Sequence, residues 1–320
     1  MMKNYFGKEE IIDYVSPADG TIQQSLLYRS PLKGRQPLLV AFHTWSGDMY
    51  QNSLSYQKFA EKYGFHLVHP NFRGPNWRKE GCGSDKAVGD IEGLVKYVCS
   101  ILEVDEKRIY AMGGSGGGHF SLLVAGRLSG IWAGVSSWVP ISDVKKWHKE
   151  CFPRPGVCGY SRHIEQALGG DPNQDAALGE EALKRSPVRY LDAAKHIPVD
   201  INTGIHDGHK GSVPVSQALE AFNILADKKD RISEKDIKYM VEKEAIPAHL
   251  QKEREDDPSY GKLRVLFRRQ SGNARITVFE GGHEMAYAAG VGFVAHQKKG
   301  KKADWSLVEA ENTENGEVSR

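Results

Sequence analysis

A serine set between glycines, where a strand pattern gives way to a helix pattern, restricts the fold of this chain more than any other feature. The segment Gly113–Gly117, Gly-Gly-Ser-Gly-Gly, matches G-x-S-x-G. Residues 108–112 before it predict a short buried strand, and residues 119–128 after it predict a helix. Glycines permit so sharp a turn, because a Cβ atom would collide with neighbouring main chain. The turn would lift the hydroxyl of Ser115 clear of the sheet, as a nucleophile in acyl transfer requires.

Glycine-rich turns between a strand and a helix also bind phosphate groups, so two alternatives need testing against the residues. A P-loop requires Lys and then Ser or Thr after its last glycine, whereas His119 and Phe120 follow Gly118. A dinucleotide-binding loop requires G-x-G-x-x-G, and counted from Gly114 its last position is His119. Both phosphate-binding interpretations therefore fail, which favours the nucleophile.

Composition and charge argue against several classes of partner. The 320 residues are 40% hydrophobic and carry a net charge of +2, which predicts no nucleic-acid partner. No apolar run approaches the roughly 20 residues of a membrane span, so we predict no membrane partner. Residues 1–13 lack the hydrophobic stretch of a signal peptide. The sequence as it stands therefore predicts a cytoplasmic protein, or an exported one if a leader has been removed.

Cysteine and histidine spacings do not match a metal centre, and we expect neither metal nor cofactor. Cys151 and Cys158 lie in a Pro- and Gly-rich loop and could be bridged in an oxidising compartment, whereas Cys82 and Cys99 are expected as free thiols. The histidines of segment 206–209 flank an aspartate, but no further ligand pattern accompanies them.

Strand and helix patterns alternate along the chain. The apolar runs 37–43, 65–70 and 134–139 predict buried strands, and segment 86–102 carries apolar residues at helical spacing. This alternation predicts an α/β fold, a mostly parallel sheet with helices on both faces. Residues 1–310 are interpreted as one domain and the rest as a polar tail. Functional groups in such sheets lie at the carboxyl ends of the strands.

Two inserted cap segments, at about 141–198 and 228–272, interrupt the alternation. The first is rich in Pro and Gly, and the second is strongly charged, with a helix predicted over 233–254. We expect both above the strand ends, where they would form the rim of a substrate pocket. Alternatively, the segments lie on the surface without contributing to the pocket, especially the second one.

Two later strand ends supply the partners that a serine nucleophile needs. A base must take the proton of Ser115 and an acid must orient that base, in the chain order serine, acid, histidine. Asp207 follows the predicted strand 199–204, and His283 follows the predicted strand 275–279. Asp207 could instead cap a helix, and His283 could be an ordinary loop histidine.

Backbone N–H groups are expected to hold the oxyanion that forms during acyl transfer. One should come from Gly116, and the other from Thr44 or Trp45, after the strand that ends at 43. Trp45 could also wall the pocket or serve only in packing. Further candidates for the substrate pocket are His43, Arg73, Trp77, Trp147 and His148.

Taken in order, these segments resemble the α/β-hydrolase superfamily and, within it, the prolyl oligopeptidase-like serine hydrolases. The resemblance runs from about residue 13 to 297 and implies an α/β-hydrolase fold with the triad Ser115, Asp207 and His283. The matching segments are Asp19-Gly20, Asn71-Phe72-Arg73-Gly74, Asp90, Gly113 to His119, Ser186-Pro187, Asp207 before Val213-Pro214, and Gly282-His283.

Two departures from the family pattern bear on the substrate. The sequence contains no β-propeller ahead of the hydrolase segment, and His43-Thr44-Trp45-Ser46 replaces His-Gly-Gly-Pro. The resemblance therefore implies a carboxylic ester hydrolase acting on small esters, including acylated carbohydrates. A prolyl oligopeptidase-type peptidase or aminoacyl hydrolase acting on short peptides is the alternative. A non-catalytic binding module is less favoured, because all three triad residues are present in order.

Overall fold

A nine-stranded sheet runs through the part of the chain described by the computed structural model, residues 8–307 without 153, 155 and 157. The predicted tail 311–320 and the side chain of Cys158 lie outside that part, so the possible bridge to Cys151 stays a prediction. The strands are β1 (Glu9–Val15), β2 (Ile22–Tyr28), β3 (Gln36–Phe42), β4 (His66–Pro70), β5 (Val104–Gly114), β6 (Gly134–Trp138), β7 (Val199–Gly204), β8 (Val265–Ser271) and β9 (Ala274–Phe279).

The middle of the sheet is parallel and its edges are antiparallel. The spatial order is β1-β2-β4-β3-β5-β6-β7-β9-β8, and every neighbouring pair from β4 to β9 is parallel. β1 and β2 at one edge and β8 at the other pair antiparallel with their neighbours. The predicted mostly parallel sheet is confirmed. The carboxyl ends of β3, β5, β7 and β9 consequently lie along the same edge of the sheet.

Helices cover both faces of the sheet, as the side chains of β3 show. Leu38, Val40 and Phe42 belong to one hydrophobic core, whereas Leu39 and Ala41 belong to a second. Successive side chains of a strand point to opposite faces, so a strand covered on both faces is apolar throughout. The helices are α1 (Ser53–Tyr63), α2 (Asp85–Ile101), α3 (Gly116–Arg127), α4 (Val144–Cys151), α5 (Cys158–Leu168), α6 (Ala176–Lys184), α7 (Val215–Leu225), α8 (Glu234–Lys243) and α9 (Tyr287–Ala295).

Residues of α2, α3, α7 and α8 line the first core, and residues of α1 and α9 line the second. Local capping signals set several helix ends. The side chain of Ser84 accepts a hydrogen bond from the N–H of Ala87 and so begins α2, and Gly64 ends α1 in the left-handed region at φ 72°. Among the described residues, no helix is both long enough and apolar enough to pass through a bilayer.

The charged segment 228–272 differs from its predicted form. The expected helix 233–254 is too long, since α8 stops at Lys243 and a short 3-10 helix follows at Ala248–Glu253. Pro247 explains the break, because proline lacks an N–H and disfavours helical backbone in the residue before it. The same segment contains the whole of β8, so part of it belongs to the sheet. Arg268 interrupts the apolar pattern expected of a buried strand, so the sequence does not predict β8. In the structure, the guanidinium of Arg268 is buried and pairs with Asp257.

The segment 141–198 folds into α4, α5 and α6 with a small hydrophobic core of its own. That core includes Trp147 and Ile164 of the segment together with Trp45, which lies beyond the end of β3. The segment therefore packs over the carboxyl edge of the sheet, and its helices bear on the loop that carries Trp45.

Candidate active site

Ser115 lies on a strained turn between β5 and α3. Its backbone adopts φ 58° and ψ −120°, a conformation that non-glycine residues rarely occupy. Two hydrogen bonds hold it there, from its own N–H to the carbonyl of Trp138 at 2.9 Å and from the N–H of His119 to its carbonyl at 2.8 Å. The tertiary structure thus maintains a backbone that presents this side chain at the carboxyl edge of the sheet.

The glycines around Ser115 allow main chain to approach main chain. A Cβ atom on Gly113 would lie 2.6 Å from the carbonyl of Gly117, and one on Gly117 would lie 2.4 Å from the carbonyl oxygen of Phe42. A Cβ atom on Gly118 would lie 2.5 Å from the carbonyl oxygen of Trp138. Backbone atoms cannot move aside as flexible side chains do, so the motif reflects close packing of α3 on the ends of its neighbouring strands.

Asp207 and His283 come together from the loops after β7 and β9. Nδ1 of His283 lies 2.7 Å from Oδ2 of Asp207, whose carboxylate is buried. Oδ1 of the same carboxylate accepts hydrogen bonds from the N–H groups of Gly208 at 2.9 Å and Val213 at 3.1 Å. A carboxylate oxygen accepts hydrogen bonds, so this contact assigns the ring proton of a neutral His283 to Nδ1 and leaves Nε2 as an acceptor. Asp207 caps no helix, because α7 begins after Pro214.

Ser115 and His283 line one cavity of about 180 Å³ at the carboxyl edge of the sheet. A larger groove, of about 620 Å³, lies against α8 and contains neither residue. We focus on the smaller cavity, because it contains both Ser115 and His283, the nucleophile and the base predicted from the sequence. Its lining consists of Thr44, Asn52, Gly114, Ser115, Val139, His283, Glu284, Met285 and Tyr287.

The loop after β3 offers one unoccupied N–H group beside Ser115. The N–H and the hydroxyl of Thr44 both donate to Oε1 of Gln51, each at 2.8 Å. The N–H of Trp45 has no partner among the described residues, and neither has the N–H of Gly116. A Cβ atom on Gly116 would lie 2.4 Å from the nitrogen of Trp45, so the two groups are adjacent. Of the two predicted alternatives, this geometry favours Trp45 over Thr44.

A sequence model of the prolyl oligopeptidase family matches residues 51–245, which is more than half of the chain. The chain belongs to that family. The α/β-hydrolase fold expected from the sequence is confirmed.

Two curated relatives of the chain differ in the activities that their names describe. The chain is 24% identical over 217 residues to the acylamino-acid-releasing enzyme of Mus musculus, covering 61% of this chain and 27% of the mouse protein. It is 25% identical over 131 residues to feruloyl esterase B of Talaromyces funiculosus, covering 37% of this chain and 36% of the fungal protein. The chain thus spans about a quarter to a third of these curated relatives.

Solved structures support the fold. A puromycin-hydrolyzing peptidase from Mycobacterium tuberculosis superposes with a TM-score of 0.59 at 15% identity, covering 91% of this chain and 40% of that one. At so low a sequence identity, the similarity shows only that the two proteins share the same arrangement of sheet and helices.

None of the five predicted pocket residues lines the cavity at Ser115. His43 is buried between the carbonyl oxygens of Thr44, 2.8 Å from Nδ1, and Asn71, 3.1 Å from Nε2, and burial lowers its pKa. Trp77 is half-buried, with its ring 4.7 Å from that of His163. Position near a strand end thus predicted proximity to the site but not the direction of these side chains.

The two predicted pocket residues on α4 are also buried away from the cavity. Trp147 is inaccessible, and its Nε1 donates to the carbonyl of Ser212 at 2.9 Å. Nε2 of His148 lies 2.9 Å from Glu165, and Asn173 lies 2.9 Å from Nδ1. Trp147 attaches the segment 141–198 to the loop after β7, whereas His148 joins α4 to other parts of the same segment.

His148, Glu165 and Asp171 form the one group in the described chain that could offer three ligands to a metal ion. Each carboxylate faces a different ring nitrogen, Glu165 at 2.9 Å from Nε2 and Asp171 at 3.5 Å from Nδ1. This is the arrangement of a hydrogen-bonded histidine and not of ligands converging on one ion. The expected absence of a metal site stays a prediction.

Several cavity residues were absent from the sequence-based candidates. Met285 and Tyr287 follow His283 within four residues, so proximity to the histidine could have suggested them. Val139 directly follows β6, and its φ of 42° is unusual for a β-branched residue. No sequence signal indicates that strained backbone. Asn52 lines the cavity from the start of α1. The expectation that functional groups lie at the carboxyl ends of strands does not apply to this position.

The charged segment 228–272 contacts the loop that carries Asp207. His206 lies between Glu244 of that segment, 2.8 Å from Nδ1, and Glu280, 2.7 Å from Nε2. Burial disfavours the imidazolium form of His206, but the two carboxylates outweigh burial and raise its pKa. His209 also reaches the carbonyl of Val241 at 2.6 Å. The segment therefore supports the Asp207 loop from the outside.

Arg73, a further pocket candidate, is a structural residue. Its Nε lies 2.6 Å from the buried carboxylate of Asp90, and its Nη1 lies 2.9 Å from Asp19 in the turn between β1 and β2. Replacement of Arg73 by Met is expected to lower the free energy of unfolding by about 3 kcal/mol, because Asp90 would remain buried without its cation. Urea denaturation measures this change, and KM should stay the same.

Arg29→Met is the matched control for Arg73→Met. Arg29 pairs with Glu10 at the exposed edge of the sheet, where an ion pair contributes at most about 1 kcal/mol. An unchanged free energy of unfolding together with a raised KM in Arg73→Met would contradict this structural role and favour a role for Arg73 in substrate binding.

Proposed function

We propose that this chain is a serine hydrolase that cleaves carboxylic esters of small molecules through an acyl-enzyme on Ser115. The supporting observation is that Ser115 and His283 line one cavity, while His283 is held by the buried Asp207 at 2.7 Å. This is the set of groups that serine acyl transfer needs: a nucleophile, a base with a free Nε2, and an acid that fixes its tautomer.

In the first half of the proposed reaction, Nε2 of His283 takes the proton of Ser115 as its oxygen attacks the ester carbonyl. The tetrahedral oxyanion accepts hydrogen bonds from the N–H groups of Gly116 and Trp45, which are otherwise unoccupied. The intermediate collapses, the C–O bond to the leaving group breaks, and His283 protonates the departing alcohol. Asp207 stabilises the imidazolium throughout.

The second half returns Ser115 to its starting state. Water gives its proton to His283 and attacks the acyl carbon. The same two N–H groups hold the second oxyanion, and the carboxylic acid leaves as the proton returns to Ser115. Every proton taken is given back, so the cycle consumes one ester and one water.

Two observations favour small esters as substrates. The cavity of about 180 Å³ is below the usual range for drug-sized ligands and suits a short acyl group. One relative is by its name a feruloyl esterase. Acylated carbohydrates and related small esters are therefore the proposed substrate class, with the alcohol part lying towards solvent.

A series of matched esters and amides tests this proposal. We expect p-nitrophenyl acetate and butyrate to be cleaved with a higher kcat/KM than aminoacyl p-nitroanilides, and a fluorophosphonate probe to label the protein. Preferential cleavage of the anilides would replace the ester assignment by a peptidase, and failure to label would argue against the nucleophile.

A second candidate function is supported by Glu284, whose carboxylate borders the cavity. Its Oε2 accepts the N–H of Gly282 at 3.0 Å, and no cation pairs with it in the described part of the chain. An aminoacyl hydrolase must hold a substrate ammonium close to the nucleophile, and an unpaired carboxylate beside His283 could do so. One relative is by its name an acylamino-acid-releasing enzyme.

Glu284→Gln separates the two candidates. If Glu284 binds a substrate ammonium, KM for amino-acid esters should rise about threefold to fivefold, since an exposed ion pair is worth up to about 1 kcal/mol. KM for uncharged esters should not change. Glu92→Gln, an exposed substitution on α2, is the control. Equal effects of Glu284→Gln on both substrate types would contradict a role in binding amines.

A further inference from the structure

One peptide group connects the segment 141–198 to the carboxylate of Asp207. The N–H of Val213 donates to Oδ1 of Asp207 at 3.1 Å. The carbonyl of the same peptide group, on Ser212, accepts from Nε1 of Trp147 at 2.9 Å and from Nη2 of Arg154 at 2.9 Å. Both donors belong to the inserted segment, as does the thiol of Cys151, a weaker donor whose Sγ lies 3.9 Å from the same carbonyl oxygen.

Trp147 contacts both loops of the site, although it lies outside the cavity. Its indole N–H bonds the loop of Asp207, while its ring packs edge-on against Trp45, with centroids 4.8 Å apart. Trp45 carries the N–H that we assign to the oxyanion. The side chain of Trp147 is fully buried, so it has no route to the substrate.

We propose that Trp147 is a positioning residue, an inference that rests on the proposed function. It holds the Asp207 carboxylate and the loop of Trp45 in fixed positions relative to each other. The peptide unit is planar, so fixing the carbonyl of Ser212 also fixes the direction of the Val213 N–H. That N–H restrains Oδ1 of Asp207, and the orientation of Oδ2 towards His283 follows. The donors on the carbonyl also polarise the peptide group and strengthen the bond to Asp207.

Loss of this restraint should affect the chemical step more than substrate binding. A displacement of about 1 Å in a catalytic group can lower the rate a hundredfold, whereas Trp147 itself touches no substrate. The expected signature of Trp147→Phe, which removes the N–H and keeps an aromatic ring, is a kcat about tenfold to a hundredfold lower with KM within about twofold of the wild type.

Trp132→Phe is a matched control for the loss of one buried indole hydrogen bond. Nε1 of Trp132 donates to the carbonyl of Val124 at 3.0 Å, at the end of α3 and away from the cavity. Both variants should lose similar thermal stability, measured by circular dichroism. Only Trp147→Phe should lose kcat, measured on p-nitrophenyl acetate at a temperature at which both are folded.

Arg154→Met tests the same carbonyl if Trp147→Phe does not fold. It removes the second donor from a half-buried position, and its kcat should also fall, whereas Arg162→Met on the exposed surface of α5 should not. Turnover of Trp147→Phe equal to that of Trp132→Phe, or of Arg154→Met equal to that of Arg162→Met, would overturn the inference. Full activity of Ser115→Ala would instead overturn the proposed function, so the two failures are distinguishable.

Discussion

Ser115→Ala is expected to lower kcat by about four orders of magnitude or more, while the protein stays folded. The substitution removes only Oγ, so no acyl-enzyme can form on this residue. The two main-chain hydrogen bonds that hold the turn persist, because they involve the N–H and the carbonyl of residue 115. Turnover of p-nitrophenyl acetate, labelling by a fluorophosphonate probe and the circular dichroism melting curve together measure the result.

Ser121→Ala is the matched control for this substitution. Ser121 lies on the helix that begins after Ser115, and its hydroxyl donates to the carbonyl of Gly117 at 2.7 Å. Ser121 does not line the cavity. We expect its kcat within about threefold of the wild type, because a neutral hydrogen bond contributes about 1 kcal/mol. Near-native turnover by Ser115→Ala would exclude the proposed nucleophile, whatever the control shows.

Asp207→Asn is expected to lower kcat by about four orders of magnitude with little change in KM. Oδ1 of Asp207 accepts two main-chain N–H groups, so the amide oxygen of an asparagine must take that place and its NH₂ group must face Nδ1 of His283. Nδ1 then has to accept, which moves the ring proton to Nε2. A protonated Nε2 cannot take the proton of Ser115. Steady-state kinetics on the same ester measures the loss.

Asp175→Asn serves as the control for the loss of a carboxylate. Asp175 caps α6, where its side chain accepts from the N–H groups of Ala177 and Leu178. Asparagine caps helices about as well as aspartate, so kcat and stability should stay close to those of the wild type. A modest loss of activity in Asp207→Asn, similar to that of the control, would mean that His283 does not depend on this carboxylate.

The nucleophile turn could be predicted because its cause is local. Glycines flank Ser115 on both sides, a strand pattern precedes them and a helix pattern follows, and each of these signals is contiguous in the sequence. The positions of Asp207 and His283 were predictable for a related reason, since the loops after parallel strands lie at one edge of the sheet. In the structure, β7 and β9 are indeed parallel neighbours. Only the pairing of Asp207 with His283 at 2.7 Å required the structure.

The lining of the cavity could not be predicted in the same way. Trp147 and Trp77 follow strand ends or lie on inserted segments, as pocket residues often do, but their rings are directed into packing with other segments. The direction of a side chain depends on contacts with residues distant in sequence, such as Ser212 for Trp147. Composition and periodicity carry no information about those contacts.

By itself, the sequence determined the fold class, the strained serine turn and the order of the three candidate catalytic residues, because these depend on periodicity and on glycine positions along one stretch of chain. The tertiary structure alone decided which N–H group beside Ser115 is unoccupied, since Gln51 takes that of Thr44 and leaves that of Trp45. It also decided that Trp147 supports the Asp207 loop. Both outcomes come from hydrogen bonds between segments that only folding brings together.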